Sequence, residues 1–340
     1  MSDAPAAPPP RLPVGLCAFT FTYLWGHAGR GGTPPNPAPK DAFWLIDLAA
    51  AAGLSGVEFP PQFLPDTTEE TLGRVRRALA ERDLWYVCDT GGTDPDTLIK
   101  LLPIAKALGA RALRTTISGI LEGDRRAEAG RWGTFLRETA NRLQRVKPIA
   151  EEYQVPIGLE NHQDVTSEEL RWLCETLDSP YVGVTLDAAN PMAVAEDPAE
   201  FAERIGPFLK DIHLKDYKVY MPESGYRLVR CPVGQGVMDW PALFEVYDRY
   251  QPGGPRSIEL GAMQARHIRL LEDDYWPDYP PRTARSLASL LRTLMLGARP
   301  PDEEYRTPLD RGAPGDVCER FELEQFSQSV DYLRTILASA

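Results

Sequence analysis

The chain has 340 residues, of which 43% are hydrophobic and 25% are charged, and its formal net charge is −12. Length and composition are those of a globular protein with a large core. The acidic balance argues against binding to a nucleic-acid backbone, and no run of about 18 apolar residues is present to span a membrane.

Two features of the sequence predict a cytoplasmic protein. The first residues, MSDAPAAPPP, lack the basic start and the apolar stretch of a secretory signal. The five cysteines are scattered and form no CxxC pair. We therefore expect reduced thiols that serve mostly in packing.

Short apolar runs alternate with amphipathic segments along the chain, in the order strand and then helix. The predicted strands are 14–19, a run ending at Glu58, 84–88, 112–116, 156–160, 181–186, 210–214 and 256–260. The predicted helices are 41–52, 67–82, 94–108, 125–153 with a kink or break at Pro148, 167–177 capped by Ser167, 198–205, 241–250, 281–296 and about 317–337. Eight such units predict parallel strands that close into a (β/α)₈ TIM barrel, which is an α/β fold.

Proline and glycine content divides the chain into three parts. Residues 1–12 are predicted to be a disordered tail, and residues 13–298 to form the barrel and catalytic domain. Residues 299–340 are predicted to be a proline-rich connection followed by a helix, which packs on the barrel or on a partner subunit. A homo-oligomer is therefore one of the two alternatives. Long loops at 21–40, 217–238 and 261–280 are expected to narrow a pocket on the active face.

Four consecutive predicted strands end in a side chain that can bind a metal ion. These residues are Glu160, Asp187, His213 and Glu259. In a barrel the carboxyl ends of all strands lie on one face, so the four side chains are expected to converge there. The alternative is that each is an isolated charge at the end of a strand.

Three carboxylates and one imidazole form a mostly hard, oxygen-rich ligand set. Such a set suits Mn²⁺, Mg²⁺ or Co²⁺, and Zn²⁺ also binds mixed nitrogen and oxygen sites. The carboxylates would repel one another without a cation, and a divalent ion would also polarise a substrate carbonyl or hydroxyl. We predict one divalent ion per chain, with Mn²⁺ as the leading candidate.

Six short runs, GVEFP, GLENH, VGVTLDAAN, DIHLKD, CPVGQGVMDW and IEL, resemble those of the xylose isomerase-like TIM-barrel superfamily of sugar isomerases and epimerases. The resemblance covers about residues 14–297. It implies that Glu160, Asp187, His213 and Glu259 hold the metal ion. It also implies that Glu160 and Glu259 flank the substrate, remove a proton beside a carbonyl and return it after a metal-stabilised enediolate has formed.

The chain departs from the ketose 3-epimerases of this superfamily at two positions. Asn190 stands where those enzymes have a histidine, and Tyr217 where they have an arginine. We predict a sugar isomerase or epimerase acting on a carbohydrate or polyol. A lyase or dehydratase acting on a keto-sugar, an inosose-like keto-polyol or a 3-keto-glycoside is the alternative, since it begins with the same proton removal.

Two further classes fit the sequence less well. Apurinic endonucleases of the superfamily need more metal-binding histidines than the four in this chain, and the net charge of −12 opposes nucleic-acid binding. A non-catalytic sugar-binding or scaffold protein would not be expected to keep all four ligand residues.

Five residues near the strand ends are candidates for substrate binding. Glu58 could accept a hydrogen bond from a sugar hydroxyl, and His162 could act as an acid, a base or a hydroxyl ligand. Asn190 stands where the ketose 3-epimerases have a histidine. Lys215 and Arg230 could anchor a carboxylate or phosphate. Ordinary salt bridges or loop hydrogen bonds are the alternative role for these side chains.

Overall fold

Eight parallel strands close into a barrel in the computed structural model, which describes residues 11–26, 33–300 and 302–337. The barrel strands are β1 (Leu12–Cys17), β2 (Leu54–Phe59), β3 (Trp85–Asp89), β4 (Ala110–Thr116), β5 (Ile157–Glu160), β6 (Val182–Asp187), β7 (Leu209–Leu214) and β10 (Arg256–Ile258). Around the barrel they are hydrogen-bonded in the order β1, β10, β7, β6, β5, β4, β3, β2. The predicted TIM barrel is confirmed. β1 begins at Leu12, the last residue of the predicted tail, and residues 1–10 lie outside the described part.

The helices lie between the strands, as the alternation predicts. They are α1 (Ala42–Ala51), α2 (Glu69–Glu81), α3 (Pro95–Leu108), α4 (Trp132–Tyr153), α5 (Ser167–Leu177), α6 (Pro198–Ile205), α7 (Trp240–Tyr250), α8 (Ala284–Leu296) and α9 (Gly315–Leu337). None of the helices in the described ranges is long and apolar enough to cross a membrane.

Two predicted helix details differ in the structure. The cap of α5 is Thr166 and not Ser167, because the Thr166 hydroxyl accepts from the backbone of Glu169 while the Glu169 carboxylate accepts from the backbone of Thr166. The predicted helix 125–153 begins only at Trp132, and it continues through Pro148 without a break.

Alternation along the strands divides the barrel into an apolar outer layer and a polar interior. Residues such as Leu159, Leu186 and Ile212 are fully buried and face the helices. The inward positions at the start of the strands hold the indole of Trp85, which occupies the space that a Cβ would take at Gly15 and Gly56. Towards the carboxyl ends the inward side chains are charged, so the barrel is closed at one end and polar at the other.

A second sheet stands on the polar end of the barrel, where the sequence predicted loops. It consists of β8 (Asp216–Tyr220), β9 (Tyr226–Cys231) and β11 (Arg266–Ile268), which pair antiparallel in the order β11, β9, β8. We call it the rim sheet. β8 starts two residues after the end of β7, so the rim sheet is continuous with a barrel strand that carries a predicted ligand.

Helix α9 packs on the barrel of its own chain. Phe326, Val330 and Leu333 are buried in the main core, and the ring of Phe326 meets that of Phe21 edge-on with centroids 5.6 Å apart. Both oxygens of the buried Glu322 carboxylate accept hydrogen bonds from the segment that follows β1. The last helix therefore holds a segment that belongs to the active face. Residues 27–32 of the predicted loop 21–40, His27 included, lie outside the described residues.

Candidate active site

The structure brings the four predicted ligands to the same end of the barrel. Glu160 and Asp187 are the last residues of β5 and β6, His213 lies in β7, and Glu259 follows β10 directly. Asp187 pairs with His213 in register, and His213 pairs with Ser257. Each of the four residues is at most 4% exposed. Ligand atoms of Glu160, Asp187 and His213 lie within 4.8 Å of one another.

Lys215 connects the fourth predicted ligand to this group. Its ammonium lies 2.6 Å from Asp187 Oδ2 and also forms an ion pair with Glu259 Oε2. Burial lowers the pKa of Lys215, but the two carboxylates outweigh burial and raise it well above its usual value. Lys215 follows the end of β7 directly and is two residues after His213, so neighbouring positions of the chain supply one predicted ligand and one counter-charge.

The imidazole of His213 is oriented by Glu58. Glu58 Oε1 lies 2.8 Å from His213 Nε2, and Glu58 is fully buried. Nδ1 has no hydrogen-bond partner among the described residues and lies 3.6 Å from Glu160 Oε1. Glu58, predicted as a substrate contact, thus stands behind the histidine, where a carboxylate commonly fixes the ring of a metal ligand.

The atoms around His213 fit a divalent cation. When the imidazole is neutral and donates from Nε2 to Glu58, the lone pair of Nδ1 faces a carboxylate oxygen of Glu160 at 3.6 Å, and either a proton on Nδ1 or a divalent cation beside it joins the two atoms. Burial lowers the pKa of His213, but the carboxylates of Glu58 and Glu160 raise it well above normal. Burial raises the pKa of Asp187 to about 7, partly offset by Lys215. A bound cation would relieve this crowding of carboxylates.

A second group of donor atoms shares the same histidine. Cys17, Glu58 and His213 also lie close enough together to hold an ion. Burial raises the pKa of the Cys17 thiol well above its usual value, which opposes the thiolate that a metal requires. We therefore place the candidate metal centre on the Glu160 and Asp187 side of His213.

Arg114 at the end of β4 pairs with Glu160. Its Nη1 lies 2.7 Å from Asp89 Oδ1, and its Nη2 is paired with Glu160 Oε2. Burial would raise the pKa of Glu160, but Arg114 and His213 outweigh it and hold the pKa below the usual range. Glu160 is consequently ionised at neutral pH.

A cavity of about 420 Å³ opens above these residues. Both Glu160 and Glu259 line it, together with Lys215 and Arg114. The remaining walls come from the segments after β1, β4, β5 and β10: Phe19, Thr22, Thr116, His162, Gly261, Ala262, Met263 and Arg266. The volume is that of a small-molecule site.

The other predicted substrate residues fall in three different places. His162 lines the cavity, and burial lowers its pKa to about 4, so its imidazole is neutral. Asn190 is buried outside the cavity wall and accepts hydrogen bonds from Gln163 and Tyr217. Arg230 donates to Gln325 and to the carbonyl of Thr20, and it lines a separate cavity beneath α9.

Sequence reasoning missed some residues that shape the site. Asp211 is two residues before His213 on the same strand face, and its Oδ2 lies 3.6 Å from His213 Nε2; the alternation of β7 was signal enough to find it. Arg266 and Met263 carry no such signal, because they follow the last barrel strand in a segment without regular spacing.

The eight-stranded barrel, with carboxylates and a histidine at its strand ends, is the arrangement that a comparison with protein families can test. The profile of the xylose isomerase-like TIM barrel family matches residues 46–293, and the chain belongs to that family.

Three known proteins illustrate the similarity. The 3-oxo-isoapionate decarboxylase of Pectobacterium atrosepticum is 25% identical over 248 residues, which are 69% of this chain and 80% of that protein. The D-psicose 3-epimerase of Clostridium cellulolyticum, solved with D-tagatose, has a TM-score of 0.59 at 13% identity and covers 95% of this chain and 98% of its own. A xylose isomerase-like TIM barrel protein of Mycobacterium smegmatis, solved with magnesium, has a TM-score of 0.55 at 14% identity and covers 84% and 97%. The two solved structures establish the fold.

Proposed function

We propose that this chain is a divalent-metal-dependent isomerase or epimerase of a sugar or sugar-derived polyol. The observation that carries the proposal is that Glu160 and Glu259 line one cavity beside the donor atoms of Asp187 and His213. Proton transfer at a carbon next to a carbonyl needs two such groups within reach of one substrate.

In the proposed site, Glu160, Asp187, His213 and Glu259 hold one divalent ion, with Mn²⁺ as the leading candidate and Mg²⁺, Co²⁺ or Zn²⁺ as alternatives. A magnesium complex is known for a protein of the same fold. When bound, the ion would supply a positive charge that stabilises the developing oxyanion of the substrate.

The carboxylates perform the proton transfer. Glu160, kept ionised by Arg114, takes the proton from the carbon beside the carbonyl, and the electron pair of that bond moves to the carbonyl oxygen to form an enediolate. Glu259, which must enter the step carrying a proton, then delivers that proton to the opposite face or to the neighbouring carbon, so that the two carboxylates exchange protonation states. Neutral His162 at the cavity wall can exchange a hydrogen bond with a substrate hydroxyl.

A lyase is the second candidate, and the similarity to 3-oxo-isoapionate decarboxylase favours it. A β-keto acid loses carbon dioxide when the electrons of the breaking carbon–carbon bond move to the ketone oxygen. The enolate so formed is then protonated on carbon. The same oxyanion stabilisation serves both reactions, so the fold does not choose between them.

The test uses the metal-loaded chain in D₂O with a panel of ketoses and sugar-derived keto acids, followed by NMR. An isomerase gives products of unchanged composition with deuterium at the carbon beside the carbonyl, whereas a lyase releases water or carbon dioxide. Glu259→Gln should abolish turnover while the fold remains and the ion stays bound to Glu160, Asp187 and His213, whose donor atoms lie within 4.8 Å of one another. Glu272→Gln on the surface is the control. Turnover that survives in the Glu259→Gln variant contradicts the assignment.

A further inference from the structure

The cavity wall carries three cationic side chains, Arg114, Lys215 and Arg266, beside the carboxylates Glu160 and Glu259. They differ in whether the protein itself supplies a counter-charge for them.

Two of the three cations are already neutralised by the protein. Arg114 is paired with Asp89 and Glu160, and Lys215 with Asp187 and Glu259. Arg266 differs from both, because in the described ranges no carboxylate lies within ion-pair distance of its guanidinium and no side-chain hydrogen bond reaches it.

The guanidinium of Arg266 is also partly withdrawn from water. Its Nε is buried and has no hydrogen-bond partner among the described residues. A buried donor that stays unpaired costs about 1–3 kcal/mol, and the cost is larger for a charged group. Such a donor in a cavity wall therefore indicates a missing partner, which is a water molecule or a ligand.

Arg266 is held on a regular element. It is the first residue of β11 and pairs with Leu228 of β9, while the backbone of the preceding Ala265 donates to Asp310 Oδ1 at 3.0 Å. The position of its Cα is thus fixed by the rim sheet on one side and by the connection to α9 on the other. A fixed arginine fork suits a planar carboxylate or a phosphate, both of which it can bind through two hydrogen bonds.

We propose that Arg266 is a specificity-determining residue that binds an anionic group of the substrate, so that the substrate is a sugar-derived acid and not a neutral sugar. The inference rests on the proposed function, because it takes this cavity as the substrate site. Arg266 and the metal ion would then hold opposite ends of one substrate molecule, which leaves the reacting carbon between Glu160 and Glu259.

Binding of three matched probes tests the proposal without turnover. D-Gluconate carries a carboxylate, D-glucitol is its neutral counterpart, and D-glucitol 6-phosphate carries a phosphate. Isothermal titration of the wild-type chain should give an affinity for at least one anion that exceeds the affinity for glucitol by roughly tenfold or more, as expected for a charge-assisted pair. Which anion binds better identifies the chemical group.

Three variants assign the effect to the side chain. Arg266→Met should reduce the preference for the anion to near unity, and Arg266→Lys should retain part of it. Arg269→Met is the control, since Arg269 lies three residues further on and faces Asp124 and Glu272 instead of the cavity. Circular dichroism checks that each variant is folded.

Two results would overturn the proposal: equal affinity of the wild-type chain for anions and for glucitol, including the absence of measurable binding, or an anion preference that survives in Arg266→Met. The metal content of the same samples is measured in parallel. Loss of metal binding with an intact anion preference would reject the proposed reaction and keep the anion site, so the two failures are distinguishable.

Discussion

At the scale of single residues, the site is defined by how buried charges are paired. Lys215 lies between Asp187 and Glu259, two residues that we propose as metal ligands. The ammonium and a divalent ion therefore offset the negative charge of the same carboxylates. Removing one partner of a buried ion pair leaves an uncompensated charge and costs about 3–5 kcal/mol.

Because Lys215 and a metal ion would offset the charge of the same two carboxylates, the effect of Lys215→Met on stability should depend on metal. Without metal, the variant should lose several kcal/mol of stability, because two buried carboxylates lose their counter-charge. With saturating Mn²⁺, the loss should be clearly smaller. Thermal unfolding in chelator and in excess MnCl₂ measures both values, with Lys218→Met on the rim sheet as the control. An equal loss under both conditions would show that Lys215 does not share its carboxylates with a metal ion.

Asp164 offers a second test at this scale, through pH. Burial raises its pKa from 3.8 to about 7, although hydrogen bonds from Ser118 and the charge of Arg125 lower it in part and Glu160 adds to the rise. Between these two values the folded chain retains a proton that the unfolded chain releases. The contribution of Asp164 to stability is therefore present at low pH and is lost as the pH rises through this window.

We expect Asp164→Asn to remove this dependence. The melting temperature of the variant relative to wild type should rise as the pH increases from about 4 to about 7, by an amount of free energy up to about 4 kcal/mol. Asp273→Asn, at an exposed position in the short 3₁₀ helix Asp273–Tyr275, should show no such trend. A constant difference between Asp164→Asn and wild type across the window would mean that this carboxyl does not titrate there.

The sequence predicted which residues gather at the strand ends, because parallel strands of a barrel end on one face. It did not predict what each side chain contacts. Glu58 was expected to meet the substrate, but it is fully buried, does not line the cavity and instead contacts His213. Arg266 was not expected at all, because its place depends on pairing with a strand far away in the chain.

At the scale of elements, α9 and the rim sheet complete the active face. Glu322 Oε1 accepts from the amide and hydroxyl of Thr22 at 2.7 Å and from the amide of Tyr23 at 2.9 Å, and its Oε2 accepts from Leu24 at 3.1 Å. Thr22 itself lines the cavity. A single carboxylate of the last helix thus fixes the segment after the first strand.

Glu322→Gln should loosen this segment. Glutamine has one acceptor oxygen, and its amide nitrogen would face a backbone donor, so the variant should lose about 1–3 kcal/mol or more. We expect a lower melting temperature and faster limited proteolysis within residues 21–26. Glu324→Gln, on the exposed face of the same helix, is the control. Equal proteolysis of the two variants would contradict a bracing role for α9.

Most barrel elements were predictable because their signals are local. Apolar runs mark the strands, and side chains such as Asp41, Asp94 and Asp197 cap the helices that follow. The rim sheet was not predictable in the same way, because its strands are short, contain charged residues and pair across intervening segments. The predicted loops 217–238 and 261–280 are therefore partly a sheet.

At the scale of the whole molecule, the open end of the barrel collects more buried carboxylates than fixed cations. The acidic residues are Glu58, Asp89, Glu160, Asp187, Asp211 and Glu259, whereas the cations beside them are Arg114 and Lys215, with His213 able to add a third. Folding brings these like charges together, which costs free energy. A divalent ion that binds only the folded chain would offset that cost and stabilise the entire barrel.

Metal removal should therefore lower the stability of the whole molecule. We expect a chelator to reduce the melting temperature of the wild-type chain, and Mn²⁺ at a hundredfold excess over its Kd to restore about 2.7 kcal/mol. His213→Ala should not respond to either treatment, because it lacks the nitrogen ligand, and elemental analysis of both proteins reports bound metal directly. A wild-type chain that contains no metal and melts identically in chelator and Mn²⁺ would refute the metal centre. The chain would then be a family member that balances its carboxylates with Arg114 and Lys215 alone.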